Sequence, residues 1–119
     1  FVGQTKLPEL YALCDIFVHP SDDEPWGLVI NEAMAAGLPI IVGKNVGSAQ
    51  DLVFNDMNGS KLDELTAECL AEHISEIIFD IKKLKRMSNA SRNIIKNWGF
   101  DECLDGIIEN LKRSGFEIS

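Results

Sequence analysis

Glu24-Pro-Trp-Gly-Leu-Val-Ile-Asn-Glu-Ala-Met-Ala-Ala-Gly-Leu-Pro39 decides how the chain is read. Leu28–Ala36 has no helix breaker. Gly37 stands where a helix C′ residue belongs, and Pro39 follows just beyond. The segment is apolar on nearly every face, which predicts a buried helix. Glu32 interrupts that surface. Its neighbours three and four residues away are Leu28, Val29, Ala35 and Ala36, and none can pair with a carboxylate. A buried charge without a partner is costly, so Glu32 is expected to meet something outside its own helix.

Glu24 precedes the helix, and Glu32 lies over one turn inside it, roughly 7 Å along the axis. Between them falls the helix N-terminus, with free N–H groups and the positive end of the dipole. This is a ready site for an anion. A diphosphate there, with a sugar at each end, would bring one diol near each carboxylate, and carboxylates accept from vicinal hydroxyls. Because the glutamates repel phosphate, the neutralising cation must come from elsewhere. The bland reading of Glu24 is an acidic residue favoured by the dipole, a task that Asp22 and Asp23 would serve as well.

The flanking segments place this helix in an α/β chain. Leu7–Cys14 reads as a short helix with Pro8 in its first turn. Ile16–His19 and Pro39–Val42 read as buried strands, continuous in apolar character as parallel strands are. Phe1–Gly3 reads as a strand end, Asp22–Trp26 as a loop and Asp51–Phe54 as a helical turn. Asn55–Gly59 reads as a turn and Ser60–Leu62 as a short edge strand. From Glu64 the pattern turns helical. Leu70, Ile74, Ile77, Ile78 and Ile81 keep one helical spacing, Leu84, Met87, Ile94 and Ile95 a second, and Leu104, Ile107, Ile108 and Leu111 a third after a break at Gly99. Alternating strands and helices followed by helices predict a parallel sheet.

The whole chain bounds the answer. Its 119 residues allow at most one domain, and 45% hydrophobic with 25% charged residues is ordinary for a soluble globular protein. A net charge of −8 argues against nucleic acid or an anionic membrane surface as a direct partner. No apolar run approaches transmembrane length. Cys14, Cys69 and Cys103 form no C-x-x-C and read as reduced, mostly structural cysteines of a cytoplasmic protein. No clustered ligand set suggests a metal, and no cofactor is expected.

Phe1-Val-Gly, Leu10-Tyr11, Cys14-Asp-Ile-Phe-Val with Pro20-Ser21, Glu24-Pro-Trp-Gly, Asn31-Glu-Ala-Met-Ala-Ala-Gly-Leu-Pro39, Val46-Gly47 and Asn58-Gly59 follow one another in a familiar order. The order and spacing resemble the retaining, nucleotide-sugar-dependent glycosyltransferases of GT-B fold, the group 1 type with an E-x7-E signature. The resemblance is strongest over residues 1 to 62. Asn97-Trp98-Gly-Phe100 is similar to the family's C-terminal bend.

The resemblance implies a fold class: the C-terminal part of a Rossmann-like parallel-sheet domain, with residues 1–62 as the strand and helix core and residues 63–119 as the helical C-terminal segment. It implies roles residue by residue. Glu24 would bind hydroxyls of the transferred sugar. The amides of Gly27, Leu28 and Val29 would hold the diphosphate, Glu32 the ribose diol, and Gln4-Thr5 would lie near the base. The donor would be a UDP-, GDP- or ADP-sugar. The acceptor, a glycan, lipid or small molecule, would be bound by an N-terminal domain that lies outside this chain. The chain opens with Phe1 inside an apolar run and reads as a piece of a longer polypeptide, itself peripheral at the inner membrane face or free in the cytoplasm. The family's cationic phosphate contacts and its first two strands would lie upstream, so the excised piece is expected to be inactive and to self-associate through an open sheet edge.

The chain departs from the pattern in one loop. Gly47-Ser48 replaces the usual Gly-Gly, with Asp51 at the acidic position. Trp26 either shields the donor or packs the loop. His19 could face a cleft as an acid or base, but the plainer reading is a satisfied structural histidine, with His73 solvated on its helix. Lys44 either reaches phosphate or is a surface lysine. Lys82-Lys83-Lys85-Arg86 reads as a solvated helix face. Two other functions stay open: a nucleotide-sugar epimerase of the same fold, and a non-catalytic α/β binding module.

Overall fold

The computed structural model describes residues 6–22, 28–98, 109 and 112–115. Eight elements follow in order: α1 Leu7–Ala12, β1 Phe17–His19, α2 Leu28–Ala35, β2 Ile40–Gly43, α3 Ala49–Leu52, β3 Gly59–Leu62, α4 Ala67–Ile78 and α5 Ile81–Ile95. The three strands form a parallel sheet in the order β1-β2-β3. Phe17, Val18 and His19 face Ile40, Ile41 and Val42, and Ile40–Gly43 faces Gly59–Leu62.

Alternation along β2 explains why this strand is apolar throughout. Ile40 and Val42 join Ile30, Ala33, Met34, Leu52 and Val53 on one face, while Ile41 packs with Leu62, Ile77 and Met87 on the other. A parallel strand covered on both faces has no solvent side to carry polar residues. Helix α5 serves both cores. Its Leu84 and Met87 lie in one, and its Ile94 and Ile95 pack against the other.

Close backbone approach fixes β3. A Cβ on Gly59 would lie 1.7 Å from the Ile40 carbonyl oxygen, so no side chain fits there. Buried Asn58 clasps the preceding turn. Its Nδ2 donates to the Leu52 carbonyl at 2.8 Å and its Oδ1 accepts from the Phe54 amide at 2.8 Å. The Asn58-Gly59 pair is thereby explained as structure.

Helix α2 ends as read. Gly37 has φ +79, its amide donates to Met34 O, and the Leu38 amide donates to Ala33 O. This is a Schellman cap.

Three readings are corrected. The spacing Leu70–Ile81 is not one helix: Asp80 is extended and its side chain caps Lys83 N, so α4 stops and Ile81 begins α5, 66% exposed. A carboxylate at an N-cap outweighs continued periodicity. His73 is half-buried rather than solvated, with Nδ1 2.8 Å from Ser60 Oγ. Cys14 is exposed and free, so it packs no core, whereas Cys69 is half-buried beside the α4 core. The strand end at Phe1–Gly3 and most of the last helix lie outside the described residues.

Candidate site at the start of the second helix

The sheet places its loops at the carboxyl ends of the strands, where ligands of open parallel sheets bind. A cleft of about 220 Å³ opens there, between Ser21 after β1, Gly43 and Lys44 after β2, and Leu62 and Asp63 at the end of β3. Lys44 is exposed on its rim. Gly43 has no room for a side chain, because a Cβ would lie 2.1 Å from Ser21 O. A larger cleft of about 380 Å³ lies at the opposite, amino end of the strands, between α1, the α2 cap and α5. It holds none of the residues singled out for ligand binding.

Helix α2 is described from Leu28 onward and follows β1 in chain order. Leu28 opens the first turn and Val29 is half-buried against the core. Glu24 and Gly27, like Gln4 and Thr5, lie outside the described residues, so of the predicted ligand-binding set the structure describes Leu28, Val29 and Glu32. Trp26 is outside them too.

Glu32 is corrected in one respect and given a partner in another. It is exposed, not buried, since α2 turns Ile30, Ala33 and Met34 inward and leaves Glu32 and Ala35 outside. Water solvates a surface carboxylate, so burial does not force a partner on it. It nevertheless has one. The Tyr11 hydroxyl donates to Glu32 Oε2 at 3.0 Å. Burial pushes the Tyr11 phenol above its ordinary value, and the hydrogen bond to Glu32 and that carboxylate's charge add to the shift. The Tyr11 ring packs on Phe17 at 6.0 Å and 58°, and Phe17 stacks on His19 at 6.2 Å and 14°. His19 is thus a half-buried ring at the end of β1.

Tyr11 was not singled out from the sequence as a site residue. The usable signal is its own chemistry: a half-buried tyrosine hydroxyl seeks an acceptor. Two buried polar atoms have no partner among the described residues, Asn31 Oδ1 and Ser48 Oγ. Ser48 is the residue that departs from Gly-Gly. Lys82, Lys85 and Arg86 are exposed, as a solvated face requires, whereas Lys83 is half-buried and lies 3.8 Å from Asp56. Among the described residues, no group of three or more His, Cys, Asp or Glu could hold a metal. No helix there is long and apolar enough to cross a membrane.

The family described as glycosyl transferases group 1 matches residues 1–94. A GDP-mannose-dependent phosphatidylinositol monomannoside mannosyltransferase of Mycobacterium tuberculosis is 32% identical over 108 residues, covering 84% of this chain and 28% of its own. A sucrose-phosphate synthase from Thermosynechococcus elongatus superposes with a TM-score of 0.79 at 31% identity, over 96% of this chain and 29% of its own. Anabaena HepE, solved with UDP, does so with a TM-score of 0.74 at 32% identity, over 92% and 30%. The chain therefore spans less than a third of each relative. Its parallel sheet with helices on both faces is that of the C-terminal domains of GT-B glycosyltransferases, and the chain belongs to the glycosyl transferases group 1 family.

Proposed function

We propose that this chain is the donor-binding part of a glycosyltransferase. The whole protein moves a sugar from a nucleoside diphosphate to an acceptor hydroxyl with retention of anomeric configuration. The observation that carries this reading is Glu32 on the outer face of α2, one turn after the helix start, with a carboxylate oxygen held by Tyr11. The Anabaena neighbour, solved with UDP and with UDP-glucose, supports a nucleotide-sugar ligand.

In this reading Glu32 accepts from the ribose diol and Glu24 from hydroxyls of the transferred sugar. The amides of Gly27, Leu28 and Val29 hold the diphosphate at the dipole end of α2, and Gln4-Thr5 lies beside the base. Catalysis rests on positioning and on stabilising the departing diphosphate. Residues 1–62 form the binding core and residues 63–119 the helical segment that backs it. The protein works in the cytoplasm, and its acceptor binds to a domain outside this chain.

Calorimetric titration of the full-length protein with UDP, GDP, ADP and their glucose or mannose conjugates tests the assignment. Glu32→Gln is expected to weaken free nucleotide and nucleotide sugar alike. One hydrogen bond is worth about 0.5–1.5 kcal/mol. Glu24→Gln is expected to weaken only the sugar conjugates. Full affinity of both variants for every ligand that binds would remove the two glutamates from the site.

A further inference from the structure

The carboxylate assigned to the ribose diol sits on an exposed helix face, where a glutamate side chain is free to sample several rotamers. Nothing on α2 restrains it, because Leu28, Val29, Ala35 and Ala36 are the residues within one turn. The restraint comes from another helix. Tyr11 on α1 donates its hydroxyl to Glu32 Oε2 at 3.0 Å. The tyrosine is itself fixed, since its ring packs on Phe17 of β1 and against the core behind α2. It has only two side-chain torsions, so a packed ring leaves its oxygen one place to be. Among the described residues Glu32 accepts no other hydrogen bond, so Oε1 has no protein donor among them.

We propose that Tyr11 is the positioning residue for Glu32, holding one carboxylate oxygen so that the other is presented to the ribose diol. The inference rests on the assignment of Glu32 to ribose. Tyr11 touches no ligand. It acts by ordering Glu32 before the nucleotide arrives, so less freedom is lost on binding. A carboxylate suits this use because it accepts at both oxygens, and one donor leaves capacity for a second.

The test uses the full-length protein and two probes: the best-binding of UDP, GDP and ADP, and the 2′,3′-dideoxy form of the same nucleotide. Tyr11→Phe keeps the ring on Phe17 and removes only the hydroxyl. It is expected to weaken the ribonucleotide about three- to tenfold, the range of one hydrogen bond. It should leave the dideoxy probe unchanged and cost nothing further in a Glu32→Gln background. Glu32→Asp, which withdraws the carboxylate by one methylene, is expected to show a similar loss and to be insensitive to Tyr11→Phe. Equal losses for both probes would make Tyr11 a packing residue and overturn the inference. Full ribonucleotide affinity in Tyr11→Phe, alongside a weakened Glu32→Gln, would overturn it while leaving the ribose assignment intact. A Glu32→Gln protein with undiminished affinity would overturn the assignment and the inference together.

Discussion

The Ser91 hydroxyl donates to the Leu38 carbonyl at 2.7 Å, joining residues 53 apart in sequence. Ser88 does the same for the Gly37 carbonyl. The Arg92 guanidinium lies over Gly37, with its Cζ 2.3 Å from where a Cβ would be. Three residues of α5 thus converge on the turn that ends α2 and begins β2. The two serines satisfy carbonyls of the turn that follows the helix, and Arg92 sets a cation against its negative dipole end. The candidate site at the other end of α2 is oriented by this attachment.

Ser91→Ala tests the attachment. Ser91 is fully buried, and the change leaves the Leu38 carbonyl without its partner. A loss of about 1–3 kcal/mol is expected, the penalty for an orphaned buried acceptor. Denaturant melts of variant and parent measure it. An unchanged midpoint would mean the carbonyl is satisfied another way.

Gly59→Ala is expected to be far more damaging. A Cβ at 1.7 Å from the Ile40 carbonyl oxygen can be relieved only by parting β2 from β3. Strand separation in the core places this change among the rare losses above about 4 kcal/mol. Soluble expression and a thermal melt report it, and a variant that melts with the parent would contradict the close approach.

Ser48→Ala should act in the opposite direction. The Ser48 hydroxyl is fully buried and without a partner among the described residues. Its removal is expected to stabilise the ligand-free protein by about 1 kcal/mol. A lower melting temperature would show that the hydroxyl is hydrogen-bonded in solution.

Tyr11 is the single tyrosine of the chain, so ultraviolet titration of the phenolate in this chain reads it alone. Its midpoint is expected above the ordinary phenol value, first because of burial and then because of Glu32. Glu32→Gln should bring it down, though not fully. The sign for stability follows. The folded state holds the phenol proton more tightly, so this contribution is complete below a pH of about 10. It is lost as pH rises through the higher folded value. Tyr11→Phe should therefore flatten the alkaline fall in stability. A midpoint unmoved by Glu32→Gln would contradict the pairing.

Self-association of the isolated chain is the last expectation. Among the described residues β1 pairs with β2 alone, and its three residues are half-buried. An open strand edge beside apolar side chains templates pairing with a second copy. Light scattering with hydrogen exchange across Phe17–His19 measures it. A monodisperse monomer with protected β1 amides would show the edge to be covered.

The local order of elements was legible in the residues themselves. Continuous apolar runs marked β1 and β2, and Gly37 before Pro39 marked the end of α2. These signals are local: a strand buried on both faces has no polar alternation, and a C′ glycine supplies the left-handed backbone its cap requires. The reading failed where a cap competed with a period, at Asp80, because apolar spacing alone cannot show which side chain turns back onto the backbone. It failed again at Glu32, whose exposure depends on which side of α2 the sheet covers.

What tertiary structure alone decided are the pairings between distant segments. Tyr11 to Glu32, Ser91 to Leu38 and His73 to Ser60 join residues that no helical or strand period relates. A sequence fixes which groups can donate and accept. Only the packing of α1 and α5 around the sheet brings particular donors within 3.0 Å of particular acceptors, because hydrogen bonds depend on distance and direction, which the chain acquires on folding.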